Sequence, residues 1–105
     1  MADCLRLKIF DDNHEVDLSE VVAALKDSSR SEAQRLMKQG GVTLFRVNIS
    51  IPDYKYVYES RDVIKDPKFR LRCTEDDLFI VKIGKRKFFQ LSSLLGDLFA
   101  HELSL

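Results

Sequence analysis

Two groups of basic side chains are the residues of this sequence whose types and spacing could do chemistry. Arg30, Arg35 and Lys38 project from one side of a predicted helix when successive residues turn by about 100°. The second group surrounds a predicted hairpin and consists of Lys82, Lys85, Arg86 and Lys87. The free amides at the start of the helix, together with Ser28 and Ser29, would add a phosphate-binding site. These cations predict a phosphate-binding surface, although charge alone also allows two ordinary solvated faces.

Residues for catalysis or metal binding are few and scattered. His14 lies in a predicted polar turn and His101 in an amphipathic tail, so both are interpreted as solvated side chains. A metal site needs three or four suitably spaced ligands, and Cys4 and Cys73 belong to no CxxC pair. We therefore expect two inert thiols, no catalytic residue, no metal and no cofactor.

The charge of the chain is balanced overall but unevenly distributed. Lys plus Arg and Asp plus Glu number 17 each, which argues weakly against nucleic acid as a partner. The net charge is −4 in residues 1–20, +2 in 21–60, +4 in 61–91 and −2 in 92–105. Because the middle is basic and the ends are acidic, a basic face is still compatible with a neutral chain.

Two short helices must position the first basic group. Asp17 with Glu20, and Ser29 with Glu32, each have the spacing of a capping box. The first helix has one apolar face, formed by Leu18, Val21, Val22 and Leu25. In the helix 29–39, Ala33, Leu36 and Met37 share an arc, and Gly40-Gly41 allow a left-handed cap and a sharp exit.

Strand patterns occupy most of the remaining chain. Alternating or strand-forming residues predict strands at 5–10, 42–49, 54–58, 78–83 and 88–91, with the last two joined by a hairpin at 84–87. Pro67 argues against one long helix in 61–72. The tail 92–105 has leucines at helical spacing, which predicts a C-terminal helix that Gly96 weakens. The expected fold is α+β, with two short packed helices against a small, mostly antiparallel sheet.

Length and composition predict one domain in a reducing compartment. The chain has 105 residues and 45% hydrophobic residues, enough for a single core. No apolar run reaches the roughly 20 residues that span a bilayer, so no membrane association is expected. Two cysteines and no signal peptide favour an intracellular location. We expect residues 1–16 to be a linker or edge strand, 17–91 the domain, and 92–105 a tail.

The segment SRSEAQRLMKQGGV, residues 29–42, resembles the RNA-binding helix and turn of the ribosomal-protein-S-four-like domain. The segment FIVKIGKRKFFQL, residues 79–91, is similar to the closing strand pair of that family. Together they look most like the C-terminal domains of tyrosyl-tRNA synthetases, and the Lys-Ile-Gly-Lys-Arg string looks like the mitochondrial branch.

The resemblance implies a non-catalytic module that grips tRNA at its elbow and variable arm, beside the catalytic body of a parent synthetase. The mitochondrial matrix would be its location, with the cytoplasm as the alternative. The family's contact positions correspond to Ser29, Arg30, Ser31, Arg35, Lys38, Gln39, Lys85, Arg86 and Lys87. For this mechanism to work, the basic helix and the basic hairpin must lie on one face.

The sequence also departs from the family pattern. Gln34 replaces a frequent arginine, and residues 43–50 lack the usual Asn-Gly hairpin. A protein-interaction or assembly domain of the same fold is therefore the alternative, supported by the neutral charge and the apolar tail. A stand-alone stress or ribosome-rescue protein is a third hypothesis.

Overall fold

The computed structural model describes residues 4–9 and 14–103 and shows an α+β fold, as the sequence predicts. In these residues the helices are α1 (Leu18–Lys26) and α2 (Arg30–Lys38). The strands are β1 (Cys4–Ile9), β2 (Glu15–Asp17), β3 (Val42–Ser50), β4 (Lys55–Val63), β5 (Arg70–Arg72), β6 (Leu78–Ile83), β7 (Lys87–Leu94) and β8 (Asp97–Leu103). Most of the predicted turn at 11–14 lies outside the described residues.

The strands form one large and one small antiparallel sheet. The large sheet has six strands in the order β1-β8-β7-β6-β3-β4, and β2 pairs with β5 in the small one. The sequence predicts a linker or an edge strand for residues 1–16. Their described part, Cys4–Ile9, is an edge strand that pairs with β8. The β3–β4 hairpin is the longest and contains the cis bond Ile51–Pro52.

Both predicted helices form because each has an apolar stripe and a defined end. Leu18, Val21 and Val22 of α1 are at most 2% exposed. The oxygen of Ser29 accepts a hydrogen bond from the amide of Glu32 at 3.1 Å, which confirms the predicted cap of α2. Since the two helices are separated by only three residues, they pack directly on each other over the sheet.

The helices and one face of the large sheet enclose the core. Met37 of α2 is fully buried, together with Val42 and Val81 from the strands beneath it. Residues directly opposite each other on antiparallel strands have side chains on the same face. The register therefore assigns the whole core side of the sheet, which we call the helix face; its buried members are Val42, Leu44, Phe79, Val81, Ile83, Phe89, Leu91, Leu98 and Ala100.

The predicted C-terminal helix is wrong, because the tail forms the strand β8. Leu94 pairs with Asp97, and the two residues between them, Leu95 and Gly96, have φ values of 54° and 81°. Positive φ at both central residues is the conformation of a tight hairpin turn and cannot continue a right-handed helix. Buried Leu98 then alternates with half-exposed Phe99, which is the pattern of a strand. In the sheet this strand lies between β7 and β1.

Candidate nucleic-acid interface

Helix α2 presents the predicted contact residues on its solvent side. Ala33 and Met37 are fully buried and anchor the helix to the core. The six predicted positions of this segment are all exposed: Ser29, Arg30, Ser31, Arg35, Lys38 and Gln39. The helix therefore displays them as expected, but its two ends have different surroundings.

At the N-terminal end of α2, the charge of Arg30 is neutralised by acidic neighbours. Its guanidinium donates to the carboxylates of Asp17 at 2.9 Å and Glu20 at 3.4 Å. A third hydrogen bond, of 3.3 Å, reaches the hydroxyl of the buried Ser19. Arg30 thus fastens α2 to α1 through hydrogen bonds from Nε, Nη1 and Nη2.

Asp17 does not have the capping role that its spacing predicts. It is the N-cap residue of α1 by backbone conformation, but its side chain makes no capping hydrogen bond. Its carboxylate instead accepts from Arg30 and, at 3.0 Å, from Arg70 of β5. Two arginines from distant segments therefore take the place of the local amides as partners of this carboxylate.

The surroundings of the N-terminal end of α2 make it a weaker site for binding phosphate. Among the described side chains, Arg30 and Arg70 are accompanied by three carboxylates, those of Glu15, Asp17 and Glu20. The free helix amides attract anions, but three nearby carboxylates repel them. Ser29 is also engaged as the helix cap.

At the C-terminal end, the Gly40-Gly41 exit brings two basic segments together. Gly40, with φ of 78°, donates to Met37 O, and Gly41 donates to Leu36 O, each at 2.9 Å. This pair of bonds is a Schellman motif, as the two glycines predict. The carbonyl of Gly41 then accepts a hydrogen bond of 2.8 Å from the amide of Gly84, the first residue of the β6–β7 turn.

Lys65, which no sequence pattern indicated, also lies where the Gly40-Gly41 exit meets the β6–β7 turn. A Cβ atom placed on Gly40 would be 3.5 Å from Lys65 Cε. The preceding residue, Ile64, donates to Val42 O at 3.0 Å, which returns the chain from β4 to the start of β3. No local pattern indicates this contact, since it depends on the long-range path of the chain.

Five exposed cations therefore surround the Gly40-Gly41 exit, and we call them the turn cluster: Lys38, Lys65, Lys85, Arg86 and Lys87. Lys87 pairs with Ile83, and Ile83 pairs with Val42, so Lys87 points to the helix face, where α2 lies. Among the salt bridges of residues 14–103, none involves a member of the turn cluster.

Lys82 does not join the turn cluster. It alternates along β6 with Val81 and Ile83, which are buried on the helix face. Successive side chains of a strand point to opposite faces, so Lys82 points away from α2. Its ammonium lies 5.7 Å from the centre of the Phe88 ring, on that opposite face.

Other arginines near the helices are held by acids in the manner of Arg30. Arg46 pairs with Asp77, whose carboxylate also accepts from the amide and hydroxyl of Thr74. Burial alone would raise the pKa of Asp77, but the hydrogen bonds from Thr74 and the charge of Arg46 outweigh it and lower this pKa. Arg46 and Arg70 both line a groove of about 320 Å³ between β3 and β5. The Arg46–Asp77 pair joins the 74–77 turn to β3 of the large sheet, whereas Arg70 pairs with Glu15 and Asp17 of the small sheet.

The thiol of Cys73 is held in an unreactive environment. Cys73 is fully buried, and burial, followed by the charge of Asp77, raises its pKa to about 12. A thiol with this pKa carries almost no thiolate at neutral pH, so it is a poor nucleophile.

The side chains that the structure describes include no group of three or more potential metal ligands. Neither α1 nor α2 has the length and apolar content needed to cross a bilayer.

Comparisons of the chain with protein-family models, with curated proteins and with solved structures found no match.

Proposed function

We propose that this chain is a non-catalytic RNA-binding module whose main contact with RNA is the turn cluster. The observation that carries the proposal is the hydrogen bond between Gly84 N and Gly41 O. It joins basic segments from α2 and from the β6–β7 hairpin, which are more than forty positions apart in the sequence, into one surface. Lys65 adds a fifth cation to that surface.

The arrangement fits the phosphate backbone of a folded RNA. Ammonium and guanidinium groups without carboxylate partners can replace the counterions of phosphates, and this exchange makes binding favourable at low salt. Contacts of this kind position an RNA but read little base sequence. Selectivity would then come from the shape of the RNA.

The resemblance of residues 29–42 and 79–91 to the ribosomal-protein-S-four-like domain of tyrosyl-tRNA synthetases supports tRNA as that RNA. The module would hold the elbow and variable arm, while the catalytic body of a parent synthetase, in the mitochondrial matrix or the cytoplasm, acts at the acceptor end. In this proposal Lys38 is the contact of α2 nearest to the hairpin, with Arg35 one turn earlier and Gln39 beside it.

A titration of labelled tyrosine-specific tRNA tests the proposal. With about four phosphates neutralised, affinity should fall on the order of a hundredfold between about 50 mM and about 200 mM salt. A duplex stem of the same length serves as a control for shape, and it should bind more weakly than the tRNA. Absence of binding at the lower salt, or binding that salt does not change, would contradict the proposal.

A protein-interaction module is the second candidate, because the β3–β4 hairpin exposes large apolar side chains. Ile51 and Tyr54 at its tip are 80% and 79% exposed, and Tyr58 is 57% exposed. All three belong to one hairpin, and large exposed apolar surfaces are typical of interaction sites. This candidate predicts that charge changes in the turn cluster leave partner binding unaltered, whereas Ile51→Ser with Tyr54→Ser abolishes it.

A further inference from the structure

The large sheet has a second face that the helices do not cover. Its members are the strand residues that alternate with those of the helix face, and we call it the open face. Across β4, β3, β6, β7 and β8 the register defines two complete rows of it: Val63, Thr43, Lys82, Phe88 and Leu103; and Arg61, Phe45, Ile80, Gln90 and His101. A third row is defined in two parts, Tyr58 with Val47, and Leu78 with Ser92 and Phe99.

Aromatic rings and cations are interleaved on the open face. Phe45 and Tyr58 from neighbouring strands meet edge to face, with ring centres 5.3 Å apart. Lys82 lies over Phe88, its cross-strand neighbour, at 5.7 Å. Phe45 and Phe88 are half-buried, so each ring keeps part of its surface in water. These rings are held in place by their neighbours and still available to a ligand.

A hydrogen bond across the sheet supports this surface from within. The hydroxyl of Tyr56 on β4 donates to Gln90 Oε1 on β7, so its ring extends over the two strands between them. Val47 and Ile80 are 3% and 1% exposed although they belong to the open face and not to the main core. Burial raises the pKa of Tyr56, as expected for a hydroxyl in this small apolar cluster.

The charges on the two faces are different. Arg61 and Lys82 are basic, and no paired residue in the three rows is an acid among the side chains that the structure describes. The helix face, in contrast, is mixed. Asp62 opposite Leu44 and Glu102 opposite Phe89 are acidic, whereas Arg46 opposite Phe79 and Lys87 opposite Ile83 are basic. A ligand of the open face should therefore carry negative charge together with flat apolar surfaces.

We propose that the open face binds unpaired bases of single-stranded RNA. Bases would stack on Phe88 and on the Phe45–Tyr58 pair, and Lys82 and Arg61 would contact the adjoining phosphates. Exposed aromatic rings on a sheet, with cations between them, are a common way to bind single strands. This inference rests on the proposed RNA-binding function, but it uses a different surface from the turn cluster and assigns Lys82 a role there.

Two RNA probes distinguish the surfaces in binding assays on the full chain. One is an unstructured oligouridine of about ten nucleotides, within the usual site size for single strands. The other is a fully paired hairpin. Phe88→Leu, Tyr58→Leu and Lys82→Gln should each weaken oligouridine binding, by about tenfold for the two ring losses. Binding of the hairpin should change less than about twofold in the same variants, since duplex is bound through phosphates.

Tyr54→Leu is the matched control for Tyr58→Leu, because Tyr54 is an exposed ring at the hairpin tip, outside the three rows. It should leave oligouridine binding unchanged. Lys82→Gln keeps the test valid if a ring substitution disturbs folding, since Lys82 is only half-buried and makes no salt bridge in the described residues. Photo-crosslinking of thiouridine-substituted oligomer should label peptides that contain Tyr58 or Phe88.

The outcomes separate the two proposals. If the hairpin binds but the three open-face variants bind oligouridine like the wild type, the open-face proposal is wrong and the turn cluster stands. If neither RNA binds, both proposals fail. Crosslinks confined to the α2 segment, with none in β4 or β7, would also overturn the open-face assignment. Binding of a protein through Phe88, with no binding of RNA there, would show that the open face is a protein-binding surface instead.

Discussion

The two ends of α2 show how one sequence motif can yield different surfaces. Both ends carry a cation of the predicted RNA-binding string, Arg30 at the start and Lys38 at the finish. Arg30 is bound by Asp17 and Glu20 and holds two helices together. Lys38 is exposed, makes no salt bridge with the described residues, and lies at the exit that the β6–β7 turn contacts.

The difference between the ends comes from the elements that pack there. Asp17 and the first turn of α1 supply carboxylates to the N-terminal end, whereas the β6–β7 turn and Lys65 bring cations to the C-terminal end. A positive side chain attracts phosphate only when its field is not already cancelled by a neighbouring acid. We therefore assign RNA contact to the turn cluster and a structural role to Arg30.

Reversing the charges of the β6–β7 turn should have the largest effect on RNA affinity. In the triple variant Lys85→Glu, Arg86→Glu and Lys87→Glu, three attractive contacts become repulsive. Affinity at low salt should fall on the order of a hundredfold or more. The matched control reverses Lys26, Lys55 and Lys68, which are exposed and lie outside the turn cluster, and gives the same change in net charge. An equal loss in both variants would show that binding depends on net charge and not on this end of α2.

Enlarging Gly41 should disrupt the junction itself. A Cβ atom there would overlap Leu36 Cδ1 and lie 2.8 Å from Leu36 Cγ and 3.2 Å from Leu36 O, so the Leu36 side chain or the exit must shift. We expect Gly41→Ala to lower the free energy of unfolding by about 1–3 kcal/mol, measured by urea denaturation. RNA affinity should fall as well, because a shift of the exit separates Gly41 O from Gly84 N.

Gly96→Ala is the control for Gly41→Ala. Gly96 has φ of 81°, and a Cβ atom there would meet no atom within 4 Å. Only the left-handed backbone should cost free energy, about 1–2 kcal/mol, with no change in RNA affinity. An equal loss of RNA affinity in both glycine variants would contradict the role assigned to the junction.

Removing the charge of Asp17 should make the two ends of α2 more alike. In Asp17→Asn, the salt bridges to Arg30 and Arg70 are lost, so stability should decrease by about 1 kcal/mol or less. Arg30 would then keep Glu20 as an acidic partner but not Asp17, so it should attract phosphate more strongly, and RNA affinity should increase by up to about threefold. Unchanged affinity would mean that Arg30 lies beyond the reach of the bound RNA.

Much of the fold could be predicted from local signals. The cap at Ser29, the apolar stripe of α1 and the Gly40-Gly41 exit are encoded within a few residues, and the structure confirms all three. The tail failed because Leu94, Leu95 and Leu98 imitate helical spacing, while the hairpin conformation at Leu95-Gly96 decides the outcome. The three-residue strands β2 and β5 are too short to produce a recognisable pattern.

The candidate site was less predictable because its main contacts are long-range. Arg30 meets Asp17 across thirteen positions, and the capping interpretation gave Asp17 a different partner. Lys65 reaches Gly40 only because the chain returns beside Val42 after β4. The orientation of Lys82 could have been predicted, since it alternates with the apolar Val81 and Ile83 in a strand that the sequence indicated clearly.

The dependence of RNA affinity on salt, measured for single neutral variants at the two ends of α2, tests the central claim most directly. For Lys38→Gln, the slope of log affinity against log salt should become shallower by about 0.7–0.9, the value for one lost phosphate contact. For Arg30→Gln, the slope should equal that of the wild type, because Arg30 is already paired within the fold. The reverse result, a shallower slope for Arg30→Gln and an unchanged slope for Lys38→Gln, would contradict the account.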